Sequence, residues 1–421
     1  ELVFEGLSGE GETSLGNETV EIAPGASQNV TFSGLDPVPN ATTASDSEPV
    51  SLRVDSEEGS ATAETNLSHS IQNAVDFAGA NNIGTVDVEP GTFDESVTID
   101  VDGLTLEGPN AGIAGDSEAR NEEAKLNGVV TVKKTSNVTV AGFSVEAAPD
   151  DTLEFPDNGV FMLGERGSLT GDTVIKNNII TVDDSNSDVN NQVAGAYIEG
   201  NSNLELTFEN NLFEEAGSND GDINQAIRQI DSSISSLEIT GNTISTEGSI
   251  WLSAANGDVN ATISGNEFTD SIGETFAAVY IDDKGSAVDA DIQENSFNAG
   301  ISSGIDLAGN FDVSASGADS VTISNNNFNE TGIPAVDASD VTGTVNATSN
   351  WWGNETGPSG QGDGTGASVS ENVTFDPWLD APFPAGNAVT DAGFDTAITS
   401  SPGAADRGDT VTVDANVTNA I

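Results

Sequence analysis

Ile239-Thr-Gly-Asn242-Thr-Ile244 and Ile263-Ser-Gly-Asn266-Glu-Phe268 repeat one phrase: an apolar residue, two small or polar residues, Asn, any residue, a bulky apolar residue. The phrase recurs as Ile175-Lys-Asn-Asn178-Ile-Ile180, Phe208-Glu-Asn-Asn211-Leu-Phe213, Ile292-Gln-Glu-Asn295-Ser-Phe297, Ile323-Ser-Asn-Asn326-Asn-Phe328 and Ala347-Thr-Ser-Asn350-Trp-Trp352. Its Asn-to-Asn spacings are 33, 31, 24, 29, 31 and 24 residues. A repeat of that length is one layer of a stack, because a single unit cannot bury its apolar face alone.

Each phrase follows a run with two-residue alternation, such as Leu204-Leu206-Phe208 or Val321-Ile323, which is a strand signal. Upstream lies a second short strand in each repeat: Ala196-Tyr-Ile198, Ile227-Arg-Gln-Ile230, Ile250-Trp-Leu252, Val279-Tyr-Ile281 and Ile305-Asp-Leu307. Two or three short strands per period, with no helix long enough for a βαβ crossover, predict a coil. Each strand then pairs in parallel with its counterpart one turn later, about 4.8 Å away. Residues 83 to 352 give about nine or ten such turns, a rod near 45 Å long.

Asn178, Asn211, Asn242, Asn266, Asn295, Asn326 and Asn350 carry two compatible expectations. Asn tolerates the left-handed backbone that a sharp corner needs. Stacked Asn side chains also hydrogen-bond from layer to layer as an internal ladder. The bulky residue two positions on points to the same face and stacks into the core. The phrase therefore reads as a fold signature rather than an active site.

Ser70-Ile-Gln-Asn-Ala-Val-Asp-Phe-Ala78 followed by Gly84-Thr-Val-Asp-Val-Glu-Pro-Gly-Thr-Phe93 resembles the opening of the right-handed parallel β-helix superfamily that includes pectin and pectate lyases. In that superfamily an amphipathic helix covers the open end of the coil, and Ile71, Ala74, Val75 and Ala78 fit one helical face here. The closing phrase Asn350-Trp-Trp-Gly-Asn-Glu-Thr-Gly-Pro358, then Val373-Thr-Phe-Asp-Pro-Trp-Leu379, is similar to the last turn of surface-exposed β-helix proteins from salt-loving archaea. The resemblance covers residues 67–385 and implies an all-β chain: a right-handed parallel β-helix with an N-terminal capping helix. Trp351, Trp352 and Trp378 are read as closing the top of the core, with a sugar-stacking platform as the alternative.

Seventy acidic residues against ten basic ones give a net charge of −60. Such a chain repels polyanions, so nucleic acid and anionic membranes are disfavoured partners. The acids are spread along the whole chain, as suits a protein living in near-saturated salt, where screening shrinks to about 3 Å or less. The acid pairs Asp150-Asp151, Asp183-Asp184 and Asp282-Asp283 lack the fixed spacing of a calcium loop and read as solvated turns. No cofactor is expected, and calcium or other cations would bind at sites the sequence does not name. The chain has no Cys, hence no disulfide or thiolate chemistry. Eleven Asn-x-Ser/Thr sequons make Asn17, Asn29, Asn40, Asn66, Asn137, Asn260, Asn329, Asn346, Asn354, Asn372 and Asn416 candidate N-glycosylation acceptors. No apolar run reaches the roughly 18 residues of a membrane span, and the chain opens on neither Met nor a signal peptide. It reads as a processed or excised extracellular portion, at the cell surface, with any anchor outside it.

Residues 1–66 have another character, with Val20-to-Phe32 and Val50-Ser-Leu-Arg-Val54 alternating as antiparallel strands. They resemble the second half of an immunoglobulin-like adhesion module. Residues 386–421 resemble its first half, with Val411, Val413, Ala415 and Val417 as an apolar stripe and candidate donor strand. Neither piece is large enough to close a core alone. The tail completes the sandwich of its own chain or of the next copy by strand addition, or the chain is a fragment of a longer protein. A head-to-tail contact between copies yields a filament unless it closes into a ring.

The resemblance also implies an enzyme reading, a polysaccharide lyase or glycoside hydrolase. Lyases need an Arg or Lys base and calcium held on Asp or Glu. The coil offers Arg120, Lys125, Lys133, Lys134, Arg166, Lys176, Arg228 and Lys284, with Arg228 beside Asp231 the best placed, although a local ion pair or a solvated Arg is the simpler reading. The hydrolases' Gly-His-Gly and Arg-x-Lys elements are missing, and the one His, His69, precedes the coil. The sequence therefore favours a non-enzymatic structural or adhesive protein of a halophile, joined head-to-tail as a filament subunit. A carbohydrate-binding surface module and a virus spike are the remaining alternatives.

Overall fold

The computed structural model describes residues 70–390 apart from loop segments 148–158, 165–168, 184–192, 200–203, 217–223, 231, 247, 270–276, 299–300, 302, 315–316, 318 and 330–332, and, towards the two termini, the backbone of six strands. The chain is a parallel β-solenoid. Its strands fall into three long sheets, of eleven, nine and eleven strands, and every hydrogen-bonded pair within the nine-stranded sheet is parallel. Successive strands visit the sheets in rotation. Thr85–Asp87 opens the first sheet, Gly91–Phe93 the second and Val97–Ile99 the third, and the next turn repeats the order with Thr105–Glu107, Ala124–Asn127 and Val130–Val132.

Alternation decides which side chains enter. In Leu204–Glu209, Leu204, Leu206 and Phe208 are buried while Glu205 is exposed. One hydrophobic core runs unbroken from Ile71 to Trp378. Within it, Phe268, Phe297, Phe328 and Trp352, each two residues after a repeat Asn, form a column. Ring centroids are 4.8, 4.7 and 5.1 Å apart and the planes lie within 9° of parallel. The layer spacing of a parallel sheet is itself about 4.8 Å, so in-register aromatics are stacked by the backbone. Trp352 is fully buried and Trp378 nearly so, which leaves neither open to a sugar ring.

The helix Ile71–Asn81 lies against the first-turn strands Thr85–Asp87 and Val97–Ile99 and buries Ile71, Val75 and Ala78. Glu95 receives the free N–H groups of its first turn, accepting from the Ile71 amide at 2.6 Å and the Gln72 amide at 3.3 Å. Gln72 in turn bonds the edge of the third sheet, donating to the Thr98 carbonyl at 3.1 Å and accepting from its N–H at 2.6 Å. A side chain there does the work of the missing next strand.

Near the N-terminus four antiparallel strands, Leu2–Ser8, Gly11–Glu18, Ser47–Ser56 and Gly59–Ser68, form one sheet. Near the C-terminus Phe394–Ser400 and Asp414–Asn419 form a separate two-stranded antiparallel sheet, pairing Ala415 with Ile398 and Val417 with Thr396. Val411 and Val413, and the expected strand over 20–32, lie outside the described residues.

Candidate functional site

The seven repeat Asn residues stand at the corner between the first and second sheets, all buried. Asn242 shows the pattern. Its N–H and its Nδ2 donate to Asn266 Oδ1 at 2.9 and 3.0 Å, Nδ2 also donates to the Phe208 carbonyl at 2.9 Å, and Oδ1 accepts from the N–H and Nδ2 of Asn211. The same bonds run from Asn178 through Asn211, Asn266, Asn295 and Asn326 to Asn350. At the near end Asn178 Oδ1 accepts from the Phe143 amide at 3.0 Å, and at the far end Asn350 Nδ2 turns back onto the Ala347 carbonyl at 2.7 Å. The polar row is satisfied internally and presents nothing to a ligand.

One expectation is corrected here. The left-handed residue of each corner is not the repeat Asn but the residue before it: Asn177, Asn210, Gly241, Gly265, Glu294, Asn325 and Ser349, with φ between 54° and 66°. The repeat Asn must keep an ordinary backbone so that its N–H and its amide reach the same acceptor one layer on.

A strap crosses these corners. Segment 109–123 leaves the first sheet and runs along the corner line. Asn177 Nδ2 donates to the Ala111 carbonyl at 2.6 Å, the Gly115 N–H to the Asn210 carbonyl at 2.8 Å, and Thr243 Oγ1 to Asp116 Oδ2 at 2.8 Å. A methyl group on Gly115 would sit 2.3 Å from the Asn178 carbonyl oxygen, so only glycine lets the strap lie this close. Arg120 clasps it, pairing with Glu123 at 2.8 Å and donating to the carbonyls of Ile113 and Asn177 at 3.0 and 2.8 Å.

A row of chemistry-bearing side chains lies on the outer face of the third sheet, buried at Met162, Tyr197 and Arg228 and half-buried from Trp251 to Asp337. Strand register stacks the outward residues Met162, Tyr197, Arg228, Trp251, Tyr280, Asp306 and Asp337 in one row. Trp251 meets Tyr280 edge-on at 5.5 Å, and the Arg228 guanidinium lies 4.8 Å from the Trp251 ring centroid. Arg228 is only 5% exposed, so the reading of a solvated Arg is corrected; Asp231 lies outside the described residues. Burial lowers the Arg228 pKa and raises that of Tyr280, the latter helped by Asp282, Asp306 and Asp340. Asp306 is pushed up to about 6 by its own burial first, then by Asp337, Asp340 and Asp282. Asp282 and Asp283 are both buried rather than solvated; Asp282 pairs with Lys284 at 2.5 Å, and burial raises Asp283. Among the described residues no group of three or more His, Cys, Asp or Glu is arranged to hold a metal ion. Arg166 lies outside the described residues.

No repeated phrase marks this row, but its signal lies in the strand triplets. The middle residue of Ala-Tyr197-Ile, Ile-Trp251-Leu, Val-Tyr280-Ile and Ile-Asp306-Leu must point outward when its neighbours point inward.

Of the sequons, Asn137, Asn260 and Asn346 lie on strands of the first sheet and Asn372 just before one; Asn329 follows the second sheet and Asn354 the last corner. Asn17, Asn66 and Asn416 fall on the terminal strands, while Asn29 and Asn40 are outside the described residues. No helix among the described residues is long and apolar enough to cross a membrane.

No protein-family model, curated protein or solved structure matches the chain.

Proposed function

We propose that the chain is an extracellular structural or adhesive protein of a salt-loving organism, its solenoid a stiff spacer and its ends the joints of a head-to-tail filament. The observation that carries this reading is the two-stranded tail sheet Phe394–Ser400/Asp414–Asn419. A lone two-stranded sheet is marginal in water, and the four-stranded head sheet has the same antiparallel habit, so each is a fitting strand donor or acceptor for the other in a neighbouring copy. The structural engagement of three of the coil's eight Lys and Arg side chains supports a non-catalytic role. Arg120 is spent on the strap, Arg228 on Trp251 and Lys284 on Asp282.

Electron microscopy of the purified chain in concentrated salt, with and without residues 391–421, tests the reading. Filaments from the full chain and single particles from the truncated one are expected. Single particles from both would sink it. The cut at 391 spares Ala388–Val389, which pair with Trp378–Leu379.

A second reading, a carbohydrate-binding surface, is favoured by the row containing Trp251 and Tyr280. Saccharide titration monitored by Trp fluorescence, with Trp251→Ala as control, tests it.

A further inference from the structure

Six sequons have described side chains, and the fold treats them very differently. Asn260 lies within Val259–Ser264, a strand hydrogen-bonded to strands on both sides, and Asn137, at φ 55°, is bulged between Ser136 and Val138 near the start of a strand that is likewise flanked. Asn346 is paired with Thr322 on one side and Thr374 on the other. Asn329 spends Nδ2 on Asn298 Oδ1 at 2.9 Å, and Asn372 spends Nδ2 on the Val341 carbonyl at 2.9 Å. Asn346 Oδ1 also accepts from the N–H and hydroxyl of Thr348, at 3.3 and 2.9 Å, but between two paired strands; Asn354 combines that side-chain turn with a place off the sheets. It lies outside the strands, on the turn closed by the Gly357 N–H donating to its carbonyl at 3.1 Å. Its Oδ1 accepts from the Thr356 N–H at 3.0 Å and the Thr356 hydroxyl at 2.9 Å, while Nδ2 makes no hydrogen bond among the described residues. Glu355 and Thr356 are exposed.

We propose that Asn354 is an N-glycan acceptor in the folded protein and that Asn372 stays unmodified. A transferase reading Asn-x-Ser/Thr needs the amide nitrogen and the hydroxyl of the third residue together on accessible backbone. The 354–356 turn holds both together off the sheets, with the Thr356 hydroxyl also accepting from the Thr365 N–H at 3.0 Å, so that modification unpairs no strand. Modifying Asn372 would crowd the nitrogen that holds the Val341 carbonyl. In the transfer, Asn354 Nδ2 forms a bond to the anomeric carbon of a sugar carried on a polyprenyl phosphate or diphosphate. The bond from that carbon to the phosphate oxygen breaks, the lipid phosphate leaves with the electron pair, and Nδ2 gives up one proton; nothing is oxidised or reduced. The inference is independent of whether the chain forms filaments.

The test uses the full chain, made without glycans and folded in concentrated salt, and an oligosaccharyltransferase with lipid-linked donor first shown to modify the isolated peptides 350–360 and 368–378 in that salt. Site occupancy is read by peptide mass spectrometry. Occupancy at Asn354 at least tenfold above Asn372 is expected, kept in Thr356→Ser and lost in Thr356→Val. Equal occupancy at the two sites, or an empty Asn354 on the folded chain, would overturn the proposal.

Discussion

Asn242 and Asn266 are 24 residues apart in sequence and share one oxygen: Asn266 Oδ1 accepts both the backbone N–H and the side-chain Nδ2 of Asn242, at 2.9 and 3.0 Å. Because every repeat Asn does the same for its predecessor, removing one amide strands donors and acceptors on two layers. Asn242→Ala leaves the Asn211 N–H and Nδ2, the Phe208 carbonyl and Asn266 Oδ1 each short of a bond. A buried unsatisfied group costs about 1–3 kcal/mol. A loss of at least about 3 kcal/mol is expected in denaturant unfolding in concentrated salt, against less than about 0.5 kcal/mol for the exposed Asn260→Ala.

The corner preceding Asn295 is occupied by Glu294 at φ 59°, a conformation that disfavours side chains bearing Cβ. Glu294 is exposed, so little packing is lost on shortening it. Glu294→Gly is expected to stabilise the chain by about 0.5–1 kcal/mol, and Gly265→Ala, at φ 65°, to destabilise it by about 1 kcal/mol. Melting temperatures of the two variants, moving in opposite directions, are the measurement.

Asp306 keeps its proton up to about pH 6 in the folded chain, against a reference value of 3.8. Its raised pKa favours the folded state fully below the reference value, and that contribution is lost as pH rises through about 6. Asp306→Asn mimics the protonated form. The variant is therefore expected to melt higher than the parent at pH 7.5 and at nearly the same temperature at pH 4. A gain that is equal at both pH values would show that the fold does not raise the proton affinity of Asp306, by burial or by its acidic neighbours.

Arg120 is 6% exposed and joins Glu123 to carbonyls on the strap and on the corner at Asn177. Removing one member of a buried ion pair costs about 3–5 kcal/mol. Arg120→Ala is expected to lose that much and to open segment 109–123 to protease at a temperature where the parent resists.

The repeated Asn phrase made the coil legible because its features are periodic: alternation within strands, Asn at corners, and a bulky residue two positions on. The same periodicity placed the left-handed corner one residue late, since Asn is also the commonest non-glycine residue there, at Asn177, Asn210 and Asn325. The strap was invisible for the opposite reason. Gly115 and Arg120 belong to no repeated phrase, and what fixes them on the corner line is contact with distant residues, Arg120 with Asn177 at 57 positions and Gly115 with Asn210 at 95. The row from Tyr197 to Asp337 lay between these cases. Its members are regularly placed but chemically unlike one another, so no phrase repeats, and only strand register brings them together.

A stack of layers with nearest-neighbour contacts comes apart from its ends, one layer at a time. The strap breaks that uniformity, because residues 111, 115 and 116 bind the corners at 177, 210 and 243 at once. Pulled from both ends, the turns beyond Asn266 would pay out singly, each release lengthening the chain by one period of 24 to 31 residues. The strapped turns would hold and then yield together. The protein would behave under tension as a graded spring in series with a breakaway link, the spring lying toward the C-terminus.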